Sequence, residues 1–401
     1  MTIVIAAKLP EESLHLFREL TDKVIVEPDM TPEELDNGLE KASILVVRST
    51  KVSRTCIEKS PKLTLIIRAG AGVNNIDMKA ASERGIYVAN CPGKNAIAVA
   101  ELTMGLILSL DRYIPDAVQE SREGHWNKAA YSKANGLYGQ TLGILGMGPI
   151  GREVASRARA FGMNVVAWSR SLTHEQAGAL GVRRVSTPKE VANVADVLTL
   201  HVALAPETEG LISAEFLKQM KPGALLVNTS RSEIVDEKAL AEACRSGQIR
   251  AALDVFKDEP SSKEGAFSSP LQEVPGLYIT HHIGASTRQA QMAVAAEAAR
   301  VAREYVREGR VDNWINRCDE TNSPWKLVVR HFDRPGVIAN VMTELKQDGI
   351  NAQEVQNVIF DGKKTACCTI QLASEPSGQI LYRIRGRKDE VISADLIESD
   401  D

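Results

Sequence analysis

Three residues late in the chain carry side chains suited to acid–base and anion chemistry. They are Arg231 in Asn228-Thr229-Ser230-Arg231, Glu259 in Asp254-Val255-Phe256-Lys257-Asp258-Glu259-Pro260, and His282 in Thr280-His281-His282-Ile283-Gly284. Each stands at or just beyond the end of a β-type run. Oxidation of a 2-hydroxy acid needs such a set. An imidazole titrates near neutral pH and can take the hydroxyl proton. An acid beside it orients the ring and stabilises its protonated form. A guanidinium offers a planar fork of donors to a carboxylate. Taken singly, each residue also has a plain reading: a surface histidine, a turn glutamate, a solvated arginine. Their joint position at the C-terminal ends of strands, where open α/β sheets bind ligands, favours the chemical one. His281 is a rival base, but adjacent extended residues face opposite ways, so one of the two points into a cleft.

Upstream lies Gly146-Met147-Gly148-Pro149-Ile150-Gly151, after an apolar strand and before a helix predicted from Pro149 to Phe161. In that setting the glycines permit a tight turn, close approach of a pyrophosphate and close helix–strand packing. The helix N-terminus faces the phosphates. The acid that ordinarily follows the second strand of such a unit is missing; Ser169 and Arg170 follow Trp168. A carboxylate there would bind ribose hydroxyls and repel a 2′-phosphate. Local sequence therefore leaves NAD and NADP both open.

These residues need a scaffold, and the chain supplies strand–helix alternation. Val24–Glu27, Ile44–Arg48 and Leu63–Ile67 read as strands, the latter two largely continuous apolar runs suited to burial on both faces. Thr31-Pro32-Glu33-Glu34 has the cap, the proline and the acid of a helix start. A second unit has strands at 141–145, 164–168, 196–200, 224–228 and 251–255. This predicts two doubly wound parallel-sheet domains. A helix predicted from Thr287 to about Glu308 returns to the first unit. The expected domains are 1–96 with 288–318, then 97–287, then 325–401 after the polar linker Asp319–Pro324. The last reads as strand, helix, two strands, short helix, strand: a small α+β module.

At 401 residues, with 44% hydrophobic and 25% charged residues and a net charge of -4, nothing suggests a general nucleic-acid or membrane-surface binder. The six cysteines show no CxxC pair and no metal-ligand spacing, which points to reduced thiols, a cytoplasmic setting and no bound metal. No signal-peptide pattern opens the chain, and the apolar stretch 96–110 is too short to span a bilayer.

On these motifs the chain resembles the D-isomer-specific 2-hydroxyacid dehydrogenase family, and within it the phosphoglycerate-oxidising members. The resemblance implies a Rossmann nucleotide-binding domain, a flavodoxin-like substrate domain and an ACT-like tail. It implies Arg231, Glu259 and His282 as the catalytic set. It implies Gly146, Gly148, Pro149, Ile150, Gly151, Ser169, Arg170 and Asp254 as the cofactor set, with NAD first and NADP compatible with Ser169-Arg170. The substrate set is Arg48, Ser49, Gly70, Ala71, Gly72, Asn95 and Lys128. Within it, Arg68-Ala69-Gly70-Ala71-Gly72-Val73-Asn74-Asn75 resembles the loop whose N–H groups hold the substrate carboxylate. Arg48-Ser49-Thr50-Lys51 resembles a phosphate-facing segment, and Trp126-Asn127-Lys128 resembles one presented across a subunit contact. The implied activity is oxidation of 3-phosphoglycerate to 3-phosphohydroxypyruvate in L-serine biosynthesis, by a homodimer or homotetramer. The tail segments Arg330–Val337 and Gly349–Asn351 resemble an ACT domain, with His331, Asp333 and Asn351 as residues for an amino-acid effector such as serine between two paired modules. Asp333 stands where an asparagine is familiar, Ser232 where a glycine is usual. Rival readings are a hydroxypyruvate or glyoxylate reductase, which Ser169-Arg170 would suit, and a dinucleotide-sensing corepressor.

Overall fold

The computed structural model describes residues 1–260, 265, 267–318 and 323–398. Residues 319–322 of the expected linker lie outside the described residues. Two compact units are present, Met1–Asn316 and Arg317–Asp401.

The first unit contains two parallel sheets. One is built from β1 (Ile3–Ala6), β2 (Val24–Val26), β3 (Ile44–Val47), β4 (Leu65–Arg68) and β5 (Tyr87–Ala89), in the order β2-β1-β3-β4-β5. The apolar runs work as expected of strands covered on both sides. Ile3, Ile5, Ile44, Val46, Leu65 and Ile67 enter the core on one face, and Val4, Ala6, Leu45, Val47 and Ile66 the core on the other. Alternation of side chains along the strand sorts them. Each such fully buried Ile or Leu contributes about 1.5–3 kcal/mol. Thr31 caps its helix as the sequence implies: its hydroxyl accepts the Glu34 N–H, and its own N–H donates to Glu34 Oε2.

The second sheet holds β6 (Thr141–Leu145), β7 (Asn164–Trp168), β8 (Arg183–Arg184), β9 (Val197–Leu200), β10 (Ala224–Asn228), β11 (Ile249–Leu253) and β12 (Leu277–Ile279), in the order β12-β11-β10-β9-β6-β7-β8. Both orders reverse direction at one point, β1/β3 in the first sheet and β6/β9 in the second, and doubly wound sheets bind ligands at such points. The helix Ala96–Arg112 sends Ala100, Met104, Leu106, Ile107 and Leu110 into the second sheet's core. The helix Arg288–Glu308, capped by Thr287, returns to the first sheet, where Val294, Ala298, Val301 and Ala302 are buried.

The second unit carries β13 (Trp325–Phe332), β14 (Ala352–Ile359), β15 (Thr365–Leu372) and β16 (Val391–Glu398), an antiparallel sheet ordered β14-β15-β13-β16. Helices Val337–Gln347 and Gly378–Gly386 supply Val341, Leu345, Ile380 and Ile384 to its core.

Candidate active site

His282 lies beyond β12 with a left-handed backbone, φ 53, unusual for a residue with a side chain. Asp254, at the end of β11 and buried, holds this turn. Its Oδ1 accepts from Thr280 Oγ1 (2.6 Å) and the Ile283 N–H (2.9 Å), and its Oδ2 from the Gly284 N–H (2.8 Å). A conformation disfavoured by about 1–2 kcal/mol persists where its surroundings over-determine it. Asp254, expected among the cofactor residues, thus has its carboxylate engaged by three protein donors and holds the histidine's loop.

The turn brings His282 Nδ1 to 2.7 Å from Glu259 Oε2. The other carboxylate oxygen of Glu259 accepts from the Phe256 N–H at 3.1 Å, which fixes the acid. The hydrogen bond to Glu259 raises the His282 pKa above its ordinary value; burial opposes, the charges of Glu259 and Asp254 add, and Arg231 subtracts. His281 is exposed and has no place in this cavity.

Arg231 leaves β10 through a turn organised by Asn228, which donates from Nδ2 to the Arg231 carbonyl (2.8 Å) and accepts from the Ser230 N–H and hydroxyl. Its guanidinium packs against Gly72, where a Cβ would overlap Nη2. Arg231, Glu259 and His282, far apart in sequence, line one cavity of about 320 Å³ together with Arg48, Ser49, Arg68, Gly72, Asn74, Asn75 and Glu233.

Arg68, the last residue of β4 and the first of the quoted loop segment, lines the site although it is not among the expected substrate residues. Its Nε donates to the Arg48 carbonyl at 3.1 Å, and its guanidinium fills the space a Gly70 side chain would need. Burial, then the neighbouring charges of Arg48 and Arg231, push the Arg68 pKa down to about 10. Burial lowers Arg48 also. Among the described residues no acid forms an ion pair with any of these three guanidiniums. Three guanidiniums outnumber the two carboxylates, Glu233 and Glu259, on this lining, which favours an anionic ligand. The Gly70 N–H, expected in the carboxylate-holding loop, donates to the Arg68 carbonyl (2.8 Å). The N–H groups of Ala71 and Gly72 have no protein acceptor among the described residues, leaving them for an anion.

Of the expected substrate residues, Arg48, Ser49 and Gly72 line this cavity; Gly70 and Ala71 adjoin Gly72 in the loop without lining it, and Asn95 and Lys128 lie elsewhere. Asn95 is the N-cap of Ala96–Arg112, with no side-chain capping bond. Lys128 lines a separate pocket with His125, Trp126 and Tyr131, and Trp126 is 88% exposed. Within one chain the structure supplies no contact between Lys128 and Arg48.

The glycine loop fits a dinucleotide. Gly146 has φ +99 and abuts the His201 carbonyl, so a side chain is excluded on both counts. Gly151 packs against the Gly146 carbonyl, while the space above Gly148 is open. Pro149 opens the helix Pro149–Ala160, leaving the Ile150 and Gly151 N–H groups at its first turn without intrahelical partners. Ser169 is half-buried and Arg170 exposed beyond β7.

In the second unit the expected effector residues are separated. His331 is buried, with Nδ1 at 2.8 Å from the Phe332 carbonyl and Nε2 at 3.1 Å from Asn357 Oδ1. Asn351 precedes the opposite end of β14 from Asn357, roughly 20 Å away at strand rise. Asp333 is exposed. One module alone therefore does not assemble the trio.

Residues 104–284 match the family described as D-isomer specific 2-hydroxyacid dehydrogenase, NAD binding domain. The chain is 42% identical over 363 residues to a D-3-phosphoglycerate dehydrogenase of Methanocaldococcus jannaschii, covering 90% of this chain and 67% of that protein. It is 35% identical over 356 residues to a D-3-phosphoglycerate dehydrogenase of Bacillus subtilis, covering 88% and 66%. Other curated relatives are matched over as little as about half their length. A solved NAD+-bound 3-phosphoglycerate dehydrogenase of Entamoeba histolytica superposes with a TM-score of 0.64 at 27% identity, covering 79% of this chain and 99% of that one. No helix among the described residues is long and apolar enough to cross a membrane.

Proposed function

We propose that this chain, which belongs to the D-isomer-specific 2-hydroxyacid dehydrogenase family and carries its NAD-binding domain, oxidises D-3-phosphoglycerate to 3-phosphohydroxypyruvate, a step toward L-serine. The carrying observation is the His282–Glu259 pair at 2.7 Å in one cavity with three guanidiniums. NAD, when bound, supplies the nicotinamide carbon that takes the hydride from C2. The remaining work belongs to the protein. His282 takes the C2 hydroxyl proton, and Glu259 stabilises the resulting imidazolium. Arg231 clamps the carboxylate with the Ala71–Gly72 amides. Arg48 and Arg68, with Ser49, hold the phosphate. A substrate carrying a carboxylate and a phosphate meets the charge of this cavity better than glyoxylate or hydroxypyruvate, with one carboxylate each.

Residues 1–96 with 288–318 form the substrate domain and 97–287 the nucleotide domain in this reading. The exposed Trp126-Lys128 segment suits delivery of a lysine to a second subunit's site in a homodimer or homotetramer. Residues 325–401 act as an ACT-like module, whose effector site requires Asn351 from a paired copy. The setting is cytoplasmic.

The test is turnover by the purified protein with 3-phosphoglycerate and each dinucleotide. NAD reduction dependent on 3-phosphoglycerate is expected. Turnover of glyoxylate or hydroxypyruvate alone would move the reading to a reductase, and none with any 2-hydroxy acid to a dinucleotide sensor.

A further inference from the structure

The acid that ordinarily separates NAD from NADP is absent after β7, where Ser169 and Arg170 stand, and the fold brings a carboxylate there from another strand. Arg170 Nη1 lies 3.7 Å from Glu207 Oε2, and Glu207 belongs to the loop leaving β9. That loop is ordered. Thr208 is buried, its Oγ1 donates to the Ala203 carbonyl (2.7 Å), and the Ala205 N–H donates to it (2.8 Å). Val202 and Leu204 pack on the same core as Trp168, the residue before Ser169. The Trp168 carbonyl accepts the Gly146 N–H (2.8 Å), and Gly146 abuts the His201 carbonyl. The glycine loop, the end of β7 and the β9 loop thus border one crevice at the point where strand order reverses.

We propose that Glu207 is a cofactor-specificity residue, which supplies from the β9 loop the negative charge missing after β7 and withholds Arg170 from a 2′-phosphate. This rests on the reading that the Gly146 loop holds the dinucleotide. A carboxylate at this rim can accept from ribose hydroxyls and repels a phosphate dianion, whereas a released Arg170 presents its donor fork to that phosphate. Both side chains are 68% exposed, so the pair contributes little to folding, and Glu207→Gln will fold. The sequence alone offered Arg170 as a recruiter of NADP; its neighbour changes that assignment.

The experiment is calorimetric titration of the full chain, wild type, Glu207→Gln, and Glu207→Gln combined with Arg170→Ala, using adenosine 2′,5′-bisphosphate and adenosine 5′-diphosphate as probes. Glu207→Gln should shift the affinity ratio toward the 2′-phosphorylated probe by about fivefold or more. Adding Arg170→Ala should take back the part of that shift owed to the released guanidinium and leave the part owed to relieved repulsion, and kcat/KM with NADP relative to NAD should move in parallel. An unchanged ratio in Glu207→Gln, or a gain left undiminished by loss of Arg170, overturns the proposal alone. Failure of wild type to bind either probe overturns it together with the dinucleotide reading.

Discussion

Gly72 leaves room for Arg231: the guanidinium occupies the space in which a side chain at Gly72 would begin. The obstructed atoms are the far end of a long side chain, which can swing away without disturbing the core. Gly72→Ala should therefore leave the melting temperature almost unchanged while lowering kcat/KM by roughly 100-fold, since small misplacements of a clamping group are costly in rate. Thermal melts beside steady-state kinetics would check this, and a matched loss of stability would count against it.

The raised pKa of His282 sets the direction of the pH dependence. Oxidation needs the neutral ring, so its rate should climb as pH rises through the histidine's pKa, and the reverse reduction should fall over the same range. Glu259→Gln removes the largest cause of the upward shift. Both limbs should then move to lower pH, with the maximal rate reduced by roughly 100-fold or more. Profiles of kcat/KM in the two directions would show it; limbs that stay in place would exclude Glu259 as the partner.

Asp254→Asn tests whether the histidine's turn depends on the buried carboxylate. An amide offers one acceptor oxygen, and its NH2 would confront the Ile283 or Gly284 N–H now facing Asp254. Leaving a buried donor unmet costs about 1–3 kcal/mol. The expected result is a lower kcat with a smaller change in dinucleotide affinity, measured by nucleotide titration. Loss of affinity with kcat intact would place Asp254 in the cofactor set.

Arg68→Met should raise the KM for 3-phosphoglycerate by roughly 10- to 100-fold, the range of a charge-assisted bond. The KM for D-glycerate, which lacks the phosphate, should change far less. Arg48→Ala should behave the same way. Equal effects on the two substrates would place Arg68 on the carboxylate instead.

Burial of His331 with both ring nitrogens engaged bears on regulation. His331→Ala should destabilise residues 325–401 by about 1–3 kcal/mol, whereas Asn351→Ala, at an exposed position, should not. If serine binds between paired modules, Asn351→Ala should abolish inhibition at unaltered stability. Serine titration with a melting curve for each variant separates the two roles.

Much of the scaffold was legible because local patterns carried it. The apolar runs at 44–48 and 141–145 and the cap at Thr31 announce their elements without tertiary help. The short strands Tyr87–Ala89 and Arg183–Arg184 were not legible. At three and two residues on sheet edges they carry no period, and pairing with β4 and β7 makes them strands.

The sequence by itself determined which side chains were available: an imidazole, an acid and a guanidinium at strand ends, and glycines spaced for a phosphate turn. These are local facts of type and spacing. Tertiary structure alone decided which groups meet. It placed Arg68 beside Arg48 and Arg231, gave Asp254 to the histidine's loop, set Glu207 against Arg170, and parted Asn351 from His331. Contacts of that kind join residues on different strands, and their distances follow from sheet order and packing, which no short stretch of sequence encodes.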